Sequence, residues 1–217
     1  MNIDVIIPAY NEQKTVGKVV KTVREVSEIR EVYVVSDGSK DKTAEVAADA
    51  GANVIDLKKN TGKGGAVKEG VDRSDADIFL FLDADLLGLT RNHLYSLIIP
   101  VIEDEVDMAI GLFQSGRFWT DIAQELAPNL SGQRALKREV IDPIPSMDIS
   151  RFGIEIALTC HAEEMGMRIK KVILPRLSHV MKEEKQGFLI GFTSRVKMYR
   201  DILQYRIQRQ SRGESRS

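Results

Sequence analysis

Short apolar, β-branched runs alternate along the first half of the chain with segments in which apolar residues recur every three or four positions. Ile3 to Ile7, closed by Pro8, predicts a buried strand. Asn11 stands where a helix cap would, and Val16, Val19, Val20 and Val23 repeat at helical spacing through Val26. Val32 to Val35 predicts a second strand and Asp37-Gly38-Ser39 a turn; Asp41 then caps a helix that runs to about Ala50 and stops at Gly51. Asn53 to Leu57 is a third strand, Gly62 opens a helix to about Arg73, and Ile78 to Leu82 is a fourth strand. That last run is wholly apolar, as expected of a strand covered on both faces. A helix from Thr90 or Asn92 ends before Glu103 to Glu105, and Met108 to Phe113 is a fifth strand. Strand and helix alternating this often predict a doubly wound, mostly parallel α/β sheet, whose ligands sit at the carboxyl ends of the strands.

The second half is less regular. Helices are expected over Phe118 to Leu126, over Ser131 to Val140 with a basic cluster, and over the stretch that aligns Ile154, Leu158, Ala162 and Met165; Ile169 to Leu174 reads as a strand. These divisions give a globular domain over 1–185, with halves 1–113 and 114–185, then a basic amphipathic helix over 186–209 and a disordered polar tail over 210–217.

Composition narrows the function. A net charge of −1 argues against nucleic acid as a partner. Cys160 has no second cysteine to pair with, which fits a reducing cytosol, and no apolar run is long enough for a membrane span, so a cytoplasmic protein is expected. In the final helix Phe188, Phe192, Val196, Tyr199 and Leu203 accompany Arg195, Lys197, Arg200, Arg206 and Arg209. Such a helix can lie on the anionic inner face of a membrane, or pack on the domain or on a second subunit of a homodimer. Both readings stay open at this level.

The polar residues fall where the chemistry should be. Pro8-Ala9-Tyr10-Asn11-Glu12 follows strand one, Ser36-Asp37-Gly38-Ser39 strand two, Gly62-Lys63-Gly64 strand three, and Asp83-Ala84-Asp85 strand four. In a parallel sheet all four converge on one edge. Two carboxylates one residue apart can grip a hard cation, Mg²⁺ or Mn²⁺, which also takes phosphate oxygens. Lys63 at a helix start suits phosphate. Asp37 could accept a hydrogen bond from a base or ribose, or could simply serve its turn.

The ordered set Ile-Ile-Pro-Ala-Tyr-Asn-Glu, Ser-Asp-Gly-Ser-Lys-Asp, Gly-Lys-Gly and Asp-Ala-Asp resembles the nucleotide-sugar half of family 2 glycosyltransferases, over roughly residues 3 to 113. The resemblance implies a GT-A (nucleotide-diphospho-sugar transferase) fold and a metal-dependent hexosyl transfer. It implies that Pro8, Ala9, Tyr10, Glu12, Asp37, Lys63, Asp83 and Ala84 bind the nucleotide-sugar, and that Asp85 is catalytic as the main metal ligand. Ser36 stands where many relatives have a second Asp. The second half is similar, over shorter stretches, to glucosyl-3-phosphoglycerate synthases and polyprenyl-phosphate sugar transferases. Leu130-Ser131-Gly132-Gln133-Arg134-Ala135 resembles the acceptor loop of the former, and Phe152-Gly153-Ile154-Glu155 their Gly-x-Glu element. Ser131, Gly132, Gln133 and Arg134 would thus meet a phosphate-bearing acceptor, Glu155 would be the second catalytic residue, and His179 a further metal ligand. From the residues themselves, Arg134 with Lys137 and Arg138 could bind an anion or form a solvated basic helix face. Two other classes compete: a nucleotidyltransferase acting on sugar phosphates, against which Pro8 to Glu12 argues because those enzymes carry a Gly-rich basic loop there, and a non-catalytic nucleotide-sugar-binding module.

Overall fold

A computed structural model describes residues 1–113, 131–144 and 153–180 of the chain. The chain divides into a unit of Met1–His179 and a second unit of Val180–Ser217. The helix expected over Phe118 to Leu126, the basic helix over 186–209 and the tail over 210–217 lie outside the described residues.

The described strands are β1 (Ile3–Ala9), β2 (Ile29–Asp37), β3 (Asn53–Leu57), β4 (Ile78–Phe81), β5 (Leu86–Leu87), β6 (Met108–Phe113), β7 (Arg134–Lys137), β8 (Ile169–Leu174) and β9 (Ser178–His179). The helices are α1 (Val16–Arg24), α2 (Thr43–Asp49), α3 (Gly62–Asp72), α4 (Arg91–Ile102), the single turn α5 (Arg138–Ile141) and α6 (Ile154–Glu164). Seven strands form one sheet in the order β3-β2-β1-β4-β7-β6-β8, and β5 pairs with β9 in a separate ribbon. Strands β1 to β4 run parallel, as do β6 and β8; β7 lies antiparallel between β4 and β6.

The sheet is covered on both faces, which is why β4 and the start of β6 read as unbroken apolar runs. Val5, Ile7, Leu80 and Val34 pack with Val16, Val20 and Val23 of α1 and with Leu94 and Leu97 of α4. Ile6, Phe79, Phe81 and Val35 pack with Val67 and Val71 of α3 and with Ile154 and Leu158 of α6. At the amino end of the strands, the fully buried Asp4 accepts from Arg30 at 3.0 and 2.8 Å, so the charge at that end is a structural pair.

Three local expectations change. β1 runs through Pro8 to Ala9 rather than stopping at Ile7. Its pairing with β4 ends at Ile6, whose carbonyl takes Leu82 N, so Pro8 lacks an N–H only where β4 no longer needs one. Asn11 does not cap α1: that position is Thr15, and Asn11, at φ 56°, accepts from Lys40 N at 2.8 Å. Asp41 lies one residue before the α2 cap position, Lys42, and accepts from Thr43 N at 3.0 Å.

The largest correction concerns Ser131 to Val140. It is not a helix but a turn, the strand β7 and the short α5. Ala135 and Leu136 are fully buried between β4 and β6. The basic cluster expected there disperses. Arg134 is 1% exposed, Lys137 bonds Asp107 at 2.8 Å, and Arg138 donates to Ala76 O and Ser74 O at 2.8 and 2.7 Å with its guanidinium over the Phe79 ring.

Candidate active site

The antiparallel sense of β7 builds the site. Its first residue, Arg134, pairs with Phe81, the last residue of β4. Ser131, Gly132 and Gln133 therefore arrive at the carboxyl edge, beside Asp83, and a parallel strand would have carried them to the opposite edge.

Lys63, in the first turn of α3, is the centre of the arrangement. Its ammonium donates to Asp83 Oδ1 and lies 2.6 Å from Glu155 Oε1. Glu155 is in the first turn of α6, where the helix N-terminus favours a carboxylate. Burial acts to lower the Lys63 ammonium, but Asp83 and Glu155 outweigh it and hold the group well above its ordinary value. Burial likewise acts to raise the Asp83 carboxyl, but Lys63, then Gln133 and His179, hold it below the usual carboxylate range. Both groups are thus charged at neutral pH.

Gly132 explains how Lys63 and Asp83 can meet. A Cβ there would overlap the Lys63 ammonium and sit 2.6 Å from both Asp83 oxygens. Gln133, with no exposed surface, donates from Nε2 to Asp83 Oδ2 at 2.7 Å. A small cleft lies here, lined among others by Pro8, Lys63, Gly132, Arg134 and Glu155. The Arg134 guanidinium donates to Ser131 O and to Thr159 Oγ1, both at 2.8 Å, and Thr159 in turn donates to Glu155 O at 2.9 Å. Arg134 thereby ties β7 to the helix that carries Glu155; burial lowers its pKa to about 10.

On the other side of Asp83, one ligand atom from each of Asp83, Asp85 and His179 falls within 4.8 Å of the others. The β5–β9 ribbon makes this possible by pairing Leu86 with His179. Phe113, at the end of β6, packs edge-on against the His179 ring at 4.3 Å between centroids. His93 anchors the approach to β9. It closes a capping box with Thr90 at the start of α4, and its Nε2 lies 3.0 Å from Pro175 O. With Nδ1 accepting from Thr90 N, Nε2 is the donor. Two carboxylates and an imidazole are a donor set suited to Mn²⁺ or Mg²⁺, so the residues fit the cation that the motif implies.

Asp37 closes the β2 side of the edge. Its carboxylate accepts from Thr61 N, Thr61 Oγ1 and Gly62 N at 2.7, 2.9 and 2.9 Å, so a residue of β2 caps α3 and fixes where Lys63 starts. Gly38, at φ 69°, lets this turn pass close to Asn60, where a Cβ would lie 2.8 Å from Asn60 N. Ala9 and Ala84 are buried and Tyr10 is 45% exposed. Glu12 N bonds Thr43 Oγ1 at 2.8 Å, Asn11 N bonds Ser39 Oγ at 3.2 Å, and Lys42 N bonds Gln13 Oε1 at 3.0 Å, so the loops after β1 and β2 are sewn together.

Lys63, Asp83, Asp85, Gly132, Gln133, Glu155 and His179 are therefore gathered at one edge, with Asp37 reaching them through α3. Thr61, Phe113 and His93 were not singled out from sequence. The position of Phe113 at the carboxyl end of a strand was the one available signal.

A mostly parallel sheet with an Asp-Ala-Asp turn, an imidazole and a helix start on one edge defines a glycosyltransferase of the GT-A fold. The chain belongs to family 2 of these enzymes: residues 4–155 match the sequence model of "Glycosyl transferase family 2". It is 39% identical over 115 residues to protein RfbJ of Shigella flexneri, covering 52% of this chain and 86% of that protein. It is 35% identical over 99 residues to 4,4'-diaponeurosporenoate glycosyltransferase of Staphylococcus aureus, covering 43% of this chain and 26% of that enzyme. Among solved structures it is similar to glucosyl-3-phosphoglycerate synthase of Mycobacterium tuberculosis in complex with phosphoglyceric acid, at TM-score 0.69 and 25% identity over 82% of this chain and 71% of that one. The same synthase with Mn²⁺, UDP-glucose and phosphoglyceric acid aligns at TM-score 0.68 and 26% identity over 82% and 71%. No helix among the described residues is long and apolar enough to cross a membrane.

Proposed function

We propose that the enzyme transfers a hexose from a nucleoside-diphosphate sugar to a phosphate-bearing acceptor, in a reaction that requires Mg²⁺ or Mn²⁺. The acceptor is either a small molecule resembling 3-phosphoglycerate or a polyprenyl phosphate. The observation that carries this reading is the approach of Asp83, Asp85 and His179 ligand atoms to within 4.8 Å of one another, beside the Lys63 ammonium. A cation held by Asp85, Asp83 and His179 would stabilise charge on the departing diphosphate.

The remaining roles belong to the chain itself. Pro8 and Ala9 at the end of β1, with Tyr10 and Glu12 in the loop after it, frame the nucleoside, and Asp37 orients the α3 start against it. Lys63 offers its ammonium to the diphosphate. Glu155, 2.6 Å from Lys63, faces the same cleft and positions or deprotonates the acceptor hydroxyl. The acceptor approaches over Gly132. Lys137 bonds Asp107 and Arg138 the Ser74 and Ala76 carbonyls, whereas Arg134 lines the cleft, so of that trio Arg134 is the candidate for the acceptor's phosphate. The synthase complexes with phosphoglyceric acid support a small phosphorylated acceptor.

The test is a thermal-shift panel of UDP, GDP, ADP and their hexose derivatives with and without Mn²⁺, followed by transfer assays on 3-phosphoglycerate and polyprenyl phosphate. Metal-dependent stabilisation by one nucleotide-sugar and transfer to one of the two acceptors is expected. Pyrophosphate release from a sugar phosphate and a nucleoside triphosphate would instead favour a nucleotidyltransferase, and donor binding with neither transfer nor slow hydrolysis a binding module.

A further inference from the structure

The loop before β7 resembles an acceptor loop, yet its side chains turn the other way. Gln133 is fully buried. Its main chain is fixed by β6, through Gly111 N donating to Gln133 O at 2.8 Å, and by Ser131 Oγ, which accepts from Gln133 N at 3.3 Å. Ser131 Oγ is itself anchored on Gly111 O. The side-chain orientation follows from chemistry: an ionised carboxylate only accepts, so the amide must present its NH₂ to Asp83 Oδ2, at 2.7 Å, and this turns its oxygen to the side of Ser131, whose one hydroxyl proton goes to Gly111 O. Lys63 meanwhile takes Asp83 Oδ1. A carboxylate has about four lone-pair directions. Two are thus assigned on the α3 and β7 sides, which leaves lone pairs for a further ligand, and an Asp83 oxygen lies within 4.8 Å of the Asp85 and His179 ligand atoms.

We propose that Gln133 is a positioning residue for Asp83: through its amide, the Gly111–Ser131–Gln133 relay orients the Asp83 carboxylate toward the cation site and does not contact the acceptor. A neutral donor suits this task. It fixes the carboxylate without adding a positive charge that would repel a cation, whereas a second cation beside Lys63 would compete with it. The inference rests on the cation site proposed above.

The experiment titrates Mn²⁺ alone into the full chain and follows free Mn²⁺ by electron paramagnetic resonance, comparing the unaltered protein with Gln133→Met. Methionine fills the same space without the amide. Groups that orient a metal ligand typically contribute about 10- to 100-fold in affinity, so a loss of roughly tenfold or more is expected. Gln133→Asn keeps an amide that is one methylene short of Asp83, and the same loss is expected; it serves as the test if the methionine variant does not fold. Unchanged Mn²⁺ affinity in a folded variant would overturn the role of Gln133 while leaving the cation site standing. Failure of the unaltered protein to bind Mn²⁺ would overturn the cation site itself, and this inference with it. Loss of thermal stability with unchanged Mn²⁺ affinity would mark Gln133 as merely structural.

Discussion

Lys63 and Glu155 meet as an ion pair at 2.6 Å, although one opens α3 and the other opens α6, on segments 92 positions apart in the chain. The same ammonium also holds Asp83. One ammonium therefore joins the carboxylate of the Asp-x-Asp turn to the carboxylate at the start of α6. Any change at Lys63 must be felt on both sides of the cleft.

Lys63→Met leaves Asp83 and Glu155 facing each other without a counter-charge. In metal-free buffer it should lower folding stability by about 1 kcal/mol, because the two carboxylates are only partly buried and water screens them. Added Mn²⁺ should restore part of that loss by supplying a cation beside Asp83. Thermal unfolding with and without Mn²⁺ checks this, and an equal deficit in both conditions would refute it. Turnover should fall by roughly 10²–10³-fold in either condition, because the diphosphate loses its ammonium.

Asp85→Ala tests the cation site more directly. Among the described residues the Asp85 side chain approaches a charged partner only at His179, 3.9 Å away, so its loss should leave the fold intact. Metal-dependent turnover should fall by roughly 10²–10³-fold. Steady-state transfer assays and circular dichroism together decide it; full activity in this variant without added metal would end the metal-dependent mechanism.

How much of this was legible in the sequence follows from the range of the interactions. Strands β3, β6 and β8 are bounded as the sequence predicts: β6 is buried over its first four residues and leaves an unbroken apolar signal, while β3 and β8 are the two edge strands, largely exposed, and are legible from their β-branched residues. The Asp83–Asp85 turn is equally local. β7 was not legible: only Ala135 and Leu136 are apolar, and the basic residues around them suggest a helix face. Their partners lie at long separations, the Thr159 hydroxyl for Arg134 and the Asp104 and Asp107 carboxylates for Lys137, which no window of neighbouring residues contains. The capping of α3 by Asp37, 24 residues away from Thr61, was hidden for the same reason. His179 entered through the family resemblance alone; its place beside Asp85 depends on the β5–β9 pairing.

Asp37→Ala separates a base contact from a scaffold role. The carboxylate accepts three bonds from Thr61 and Gly62. Removing it should cost about 0.5–2 kcal/mol even with no nucleotide present, as the loss of a helix cap does. Chemical denaturation of the ligand-free protein checks this. An unchanged midpoint there, with weakened nucleotide binding, would mean that Asp37 serves the base alone.

The last prediction concerns acid. Asp107 accepts from Arg168 at 2.7, 2.9 and 3.2 Å and from Lys137 at 2.8 Å, joining β6, β7 and the approach to β8. Arg168 chiefly, and then Lys137, overcome the burial that would raise this carboxyl and hold it far below the usual carboxylate range. A group whose folded pKa is depressed binds protons more readily in the unfolded chain, so its stabilisation is complete above the unfolded value of about 3.9 and is lost as pH falls below it. Arg168 is half exposed and water screens its share, so Asp107→Asn should cost about 1–2 kcal/mol at neutral pH rather than the full strength of a buried charged bond. The gap between variant and parent should then close progressively as pH drops from about 4 toward 2. Urea unfolding of both proteins across that range measures it. A gap that stays constant would mean that the Asp107 carboxyl titrates alike in the folded and unfolded chain.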